Sequence, residues 1–131
     1  MDIFKRPLVE YIPIQVKNSR ERYWKSTLYN EPEIFVYISP EDLMANLPLL
    51  GLPETDISFK GELAIITLNF KVTKIYYRFH TVKLIGEEKD DYYHLFSITD
   101  KYFPQRLRVL HFILFSETGE KLAWKNSRIR S

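Results

Sequence analysis

The chain has 131 residues, of which 45% are hydrophobic, 15% aromatic and 27% charged, and it holds no cysteine. That apolar share offsets chain entropy within one domain over residues 1–131, argues against intrinsic disorder, and leaves no disulfide framework, thiolate metal site or cysteine nucleophile. The net charge of +2 averages over blocks of +3 (1–30), −6 (31–62), +4 (63–85), −4 (86–100) and +5 (101–131). Such blocks give either a mixed surface or, if the third and fifth meet, a basic face for an anionic ligand or partner.

Residues 8–17 and 22–29 read as strands joined by the polar loop Asn18-Ser19-Arg20-Glu21, and another strand over 33–38 follows Pro32. Ser39-Pro40-Glu41-Asp42 is a helix start. Serine caps an orphan amide, proline suits the first helical position, and acids favour the positive end of the dipole. The helix is short, because Pro48 follows Leu47 closely, and a loop then runs to Lys60.

Residues 64–72 alternate strictly between Ala64, Ile66, Leu68, Phe70, Val72 and the side chains between them, which predicts a strand with one face on a core. A turn at Thr73-Lys74 leads into a second strand over 75–85, with Ile75, Tyr77 and Phe79 inward and a bulge near His80-Thr81. Residues 86–91 read as an acidic turn and 92–98 as a further strand. Residues 109–115 are almost wholly apolar, as in a strand buried on both faces, and a turn over 116–119 precedes a strand over 121–125 and a frayed basic tail. Seven or eight short strands with one brief helix predict a mainly β protein, a small antiparallel β-barrel or sandwich.

Chemical motifs are sparse. His80, His94 and His111 are too far apart for a local metal motif, and His94 and His111 lie in strands where a hydrogen-bonded structural role is expected; no metal site is assigned. The acids Glu87, Glu88, Asp90 and Asp91 lack calcium-loop spacing, and no serine lies in a G-x-S-x-G elbow. No catalytic residue is therefore assigned and no enzyme is expected. Lys71, Lys74, Arg78 and Lys83 are interleaved with aromatic residues, as in a groove for single-stranded nucleic acid, although strand parity turns several of the rings inward. No apolar run nears the roughly 18 residues of a membrane span, and residues 1–6 lead into Pro7 instead of a signal-peptide core, so a cytoplasmic protein is expected.

The segments I-F-V-Y-I-S-P (from Ile34), G-E-L-A-I-I-T-L-N-F (from Gly61), Y-Y-R-F-H-T-V (from Tyr76), Y-Y-H-L-F-S-I (from Tyr92) and Q-R-L-R-V (from Gln105) occur in one order. That order resembles the N-terminal β-barrel domain of flagellar-brake proteins of the PilZ class. The resemblance implies a small barrel that accompanies a cyclic di-GMP-binding barrel and acts through contacts with a partner protein. Gln105 and Arg106 match the family's arginine connector, Leu107 and His111 stand at its other two arginine positions, and Arg108 beside them could compensate in charge. Asp56, Ser58 and Gly61 spell its D-x-S-x-x-G motif, placed before the connector instead of after it. By resemblance these six residues would meet cyclic di-GMP, with no other cofactor. A second barrel would need about a hundred further residues, so a stand-alone adaptor is the expected form. Tyr23, Trp24 and Tyr102 are its candidate contact aromatics. The competing expectation is a nucleic-acid-binding small barrel using Lys71, Lys74, Arg78 and Lys83.

Overall fold

A computed structural model describes residues 11–53 and 62–130. Its elements are β1 (Ile12–Pro13), β2 (Lys17–Tyr23), β3 (Glu33–Tyr37), α1 (Pro40–Asn46), β4 (Glu62–Arg78), β5 (Thr81–Thr99), a 3-10 turn (Asp100–Tyr102), β6 (Val109–Ser116) and β7 (Lys121–Arg128). The mainly β class and the single short helix are as expected.

The long hairpin β4–β5 organises everything else. It reverses at Phe79-His80, where Phe79 takes φ 56°, and the irregularity between Val72 and Lys74 is a bulge within β4. Turn and bulge have thus changed places relative to the sequence expectation, and Phe79, expected inward, stands on the reversal and is 61% exposed. Residues 86–91 do not reverse the chain either. Leu68 pairs with Tyr93 and Phe70 with Glu88, so the single residue Asn69 faces the four residues 89–92. The extra residues bend the strand. Asn69 adopts φ 56°, donates from Nδ2 to the carbonyls of Tyr29 and Glu31, and accepts from the Asp91 amide at 3.0 Å, which fixes the bend.

The bend divides the hairpin into halves with different neighbours. Near the ends of the hairpin, β3 pairs with 64–68 of β4 and β2 with 92–97 of β5, all antiparallel. Toward the tip, β1 pairs with Tyr76 and Tyr77, and β6 pairs with 81–86 of β5 in parallel, giving one mixed sheet where a purely antiparallel one was expected. β7 then pairs with β6 and comes up beside β3, with Lys125 over the Phe35 ring at 4.7 Å, but no ladder joins β3 to β7 and the sheet curls without closing.

Curling buries Phe70, Phe96, Phe112, Leu84 and Leu114 between the two halves. On the other side of the 62–68 segment, α1 and the loop after it press Leu43, Leu47, Leu50 and Leu52 onto Ala64, Ile66 and Leu68. The β4 segment is therefore buried on both faces, and β6, of which this was expected, is not: Leu110, Phe112 and Leu114 are buried while Val109 is 49% exposed. Ser39 caps α1 by accepting from the Asp42 amide, with Pro40 in the first turn, as predicted. The expected strand over 22–29 ends at Tyr23, and the expected loop 18–21 belongs to β2; of the predicted strand 8–17, residues 8–10 lie outside the described residues.

Candidate functional site

Register places the outer face of the tip half in rows running across β4, β5, β6 and β7. One row is Lys74, Ile85, Phe115, Lys121; the next is Tyr76, Lys83, Ile113, Trp124; the third is Arg78, Thr81, His111, Asn126. Val109 paired with Arg128 adds a fourth, shorter row. Residues paired across a ladder share a face, and the alternate residues Val82, Leu84, Phe112 and Leu114 are buried, so these rows point outward. The third and fifth charge blocks, which sequence could not place together, meet here.

Among the described residues the face is cationic without acidic partners. Lys74, Arg78, Lys83, Lys121 and Arg128 lie in rows that contain no Asp or Glu, and the three ion pairs within 4.0 Å among the described residues lie elsewhere. Three of the cations rest on rings instead. Arg78 Cζ lies 5.2 Å from the Phe79 ring centroid and 5.5 Å from that of Tyr11, Lys83 Nζ lies 4.3 Å from Tyr11 and 5.3 Å from Phe115, and Lys121 Nζ lies 5.8 Å from Trp124. Arg78 Nε is buried and has no hydrogen-bond partner among the described residues. Trp124 is 57% exposed, with its ring centroid 5.6 Å from that of His111, whose Nδ1 lies 2.6 Å from Asn126 Oδ1.

Of the four expected basic residues, Lys74, Arg78 and Lys83 belong to this face. Lys71 does not: it sits beyond the bulge with Nζ 3.8 Å from Glu21. Sequence parity had turned Phe79 inward, and the long-range partners Tyr11, Lys121, Trp124 and Arg128 were missed. Only the alternation of Trp124, Asn126 and Arg128 near the C-terminus carried a signal for the last of these.

The connector lies at one end of the face, since Arg108 leads directly into Val109. Gln105, Arg106 and Arg108 are exposed. The loop that carries them is held by Arg130, whose Nη1 donates to the carbonyls of Pro104 (2.6 Å) and Leu107 (2.8 Å), and whose Nη2 donates to those of Phe103 (3.1 Å) and Asp100 (3.3 Å). The basic tail expected to fray is thereby pinned, with Ile129 buried beside it and its amide donating to the Arg108 carbonyl. Asp56, Ser58 and Gly61 lie outside the described residues.

A third polar cluster surrounds His94, which is 4% exposed. Ser19 Oγ lies 2.7 Å from its Nε2, and Glu21 Oε2 lies 3.8 Å from its Nδ1, so the residue types match a nucleophile, base and orienter. The protonation pattern does not match. The Val72 amide donates to Nδ1 at 3.3 Å, so the ring proton sits on Nε2 and is donated to Ser19 Oγ; this imidazole cannot take the serine proton. Burial lowers the His94 pKa, partly countered by Glu21, while the nearby Lys71 adds to the lowering. Burial likewise pushes the Tyr92 hydroxyl up to about 12, with a hydrogen bond to Glu21 adding to the rise. His94 is thus buried with a hydrogen-bond partner at each ring nitrogen.

Among the candidate contact aromatics, Tyr23 is 67% exposed, with Lys89 Nζ 5.0 Å from its ring. Trp24 is tied down by donation from Nε1 to the Gly51 carbonyl at 2.6 Å, and Tyr102 packs against the core. No grouping of three or more His, Asp or Glu that could hold a metal occurs among the described residues, and no described helix is long and apolar enough to cross a membrane. In comparisons with known proteins, the chain matches no family model, no curated protein and no solved structure.

Proposed function

We propose that the protein is a non-enzymatic, cytoplasmic adaptor module that recognises an anionic partner through the outer face of the tip half. The observation that carries this reading is the set of five cations, Lys74, Arg78, Lys83, Lys121 and Arg128, in register rows without an acid. Cations that already rest on an acid must give it up to bind; Arg78, Lys83 and Lys121 rest on rings instead and keep their charge for a partner. Retention on immobilised heparin tests the reading. The wild type should elute at higher salt than a Lys83→Glu, Lys121→Glu double variant, and equal elution of the two would remove this face as the contact surface.

A second reading is supported by the clamp of Arg130 on the connector loop, which presents Arg106 and Arg108 on a fixed backbone. On this reading the module is PilZ-like, cyclic di-GMP is the ligand, and a partner protein receives the signal. Guanidinium groups on a rigid loop suit the paired phosphates of such a ligand. Calorimetric titration with cyclic di-GMP should give saturable heat that an Arg106→Ala, Arg108→Ala variant loses; absence of heat in the wild type would remove this reading and leave the first untouched.

A further inference from the structure

We infer that the partner of the cationic face is single-stranded nucleic acid, bound with phosphates on the cations and bases on the interleaved rings. This rests on the anionic-partner reading above and names its ligand class.

Rings and charges alternate across the face. Phe79, Arg78, Tyr11, Lys83 and Phe115 form an unbroken series in which ring and cation follow one another at 5.2, 5.5, 4.3 and 5.3 Å. They come from the hairpin tip, β4, the residue before β1, β5 and β6, so the series crosses the sheet instead of following one strand. A second group, Trp124 with Lys121, lies on β7. Neighbouring strands are about 4.8 Å apart, so the face from β4 to β7 is about 14 Å wide.

Three properties select a single strand over other anions. The first is exposure of ring surface at both margins: Phe79 is 61% and Trp124 57% exposed, and exposed rings beside free cations are what unpaired bases stack on. An acidic protein surface would use the cations and leave these rings without a matching group. The second is shape. The face is a sheet with short side chains such as Thr81 and Asn126 between the cations, and among the described residues no helix or β-ribbon projects from it toward a major groove, which duplex reading requires. The third is Arg78. Its guanidinium lies within 5.5 Å of the centroids of two rings, and its buried Nε has no hydrogen-bond partner among the described residues, so the ring contacts leave its charge unneutralised. Stacking of this kind tolerates any base, so binding is expected to be largely independent of sequence.

The full-length chain is titrated, by fluorescence anisotropy, into labelled oligothymidylate of roughly 12 nucleotides, a duplex of equal length, heparin and polyglutamate. The expected result is tightest binding to the single strand, at least about tenfold over the duplex. The slope of log affinity on log salt should be about −3, from roughly 0.7 per neutralised phosphate over most of the five cations. Trp124→Leu should weaken single-strand binding by about tenfold and leave heparin binding unchanged, since it removes a ring and no charge. Lys83→Ala, Lys121→Ala should weaken both. Far-ultraviolet circular dichroism confirms that each variant is folded. Equal or tighter binding of duplex, heparin or polyglutamate, or a Trp124→Leu variant that binds the single strand as the wild type does, would overturn the single-strand inference while the anionic-partner reading stands. Failure of every polyanion to bind at low salt would overturn both.

Discussion

Replacing Arg130 by alanine removes four hydrogen bonds from one guanidinium to the carbonyls of Asp100, Phe103, Pro104 and Leu107. A hydrogen bond from a charged donor contributes about 1.5–3 kcal/mol net, but the four are coupled through one planar group, and the loop carbonyls of a truncated variant regain water. The two shortest, at 2.6 and 2.8 Å, carry most of the effect. We expect a loss of about 2–3 kcal/mol, which at this chain length lowers Tm by roughly 10 °C. Arg130→Lys should recover less than half of that, because an ammonium cannot span two pairs of carbonyls with one fixed fork. Urea denaturation followed by circular dichroism gives both numbers. A loss below about 0.5 kcal/mol for the alanine variant would refute the clamp as a stabilising device, and full recovery by lysine would refute the argument from fork geometry.

Three further outcomes follow from the structure. The His94 pKa is lowered in the fold, so the unfolded chain takes up the proton first; stability should be complete above the unfolded value of about 6.5 and fall as pH drops through it, and His94→Gln should flatten urea midpoints between pH 7 and 5. A Cβ at Gly86 would stand 1.9 Å from the Lys71 carbonyl oxygen and 2.9 Å from Phe70 Cε2, so Gly86→Ala should cost about 3 kcal/mol, read as a lowered urea midpoint; a neutral result would show that the two strands separate freely there. Asn69→Ala removes three side-chain hydrogen bonds at the bend and leaves a non-glycine residue at φ 56°, for an expected cost of about 2 kcal/mol, whereas Asn69→Gly should cost less than the alanine change because it relieves the backbone; thermal melts rank the two.

The sequence carried the elements whose signals are local. Strict alternation from Ala64 to Val72 located the central strand, and Ser39-Pro40 located the helix start. It misplaced the hairpin reversal because residues 79–80, Phe-His, lack the glycine or asparagine that usually accepts positive φ, while Thr73-Lys74 interrupts the apolar pattern in the way a turn does. The run Gly-Glu-Glu-Lys-Asp-Asp resembles a turn in composition, but Lys71 opposes Glu87 and Asn69 ties down Asp91, and both are contacts across the hairpin that no local window contains. For the candidate site, Lys74, Arg78 and Lys83 were legible from their spacing. Lys121, Trp124 and Arg128 join them only through the β5–β6 and β6–β7 ladders, and Arg130 acquires its role from a loop 23 to 30 residues earlier.

The parallel seam between β5 and β6 also sets an order of events during folding. Hairpins β4–β5 and β6–β7 can zip outward from their turns, where the paired residues are close in sequence, but the seam joins 81–86 to 111–116 with no turn of its own and must wait for the intervening chain to be gathered in. Until it forms, each hairpin exposes an unpaired apolar edge, and the cationic face does not exist, because its halves belong to different hairpins. Loss of Leu114 packing at the seam should therefore speed unfolding more than it slows folding, a split that the two arms of a chevron plot resolve. Recognition by this face would then report on completed folding, since neither hairpin alone carries enough of it to hold a partner.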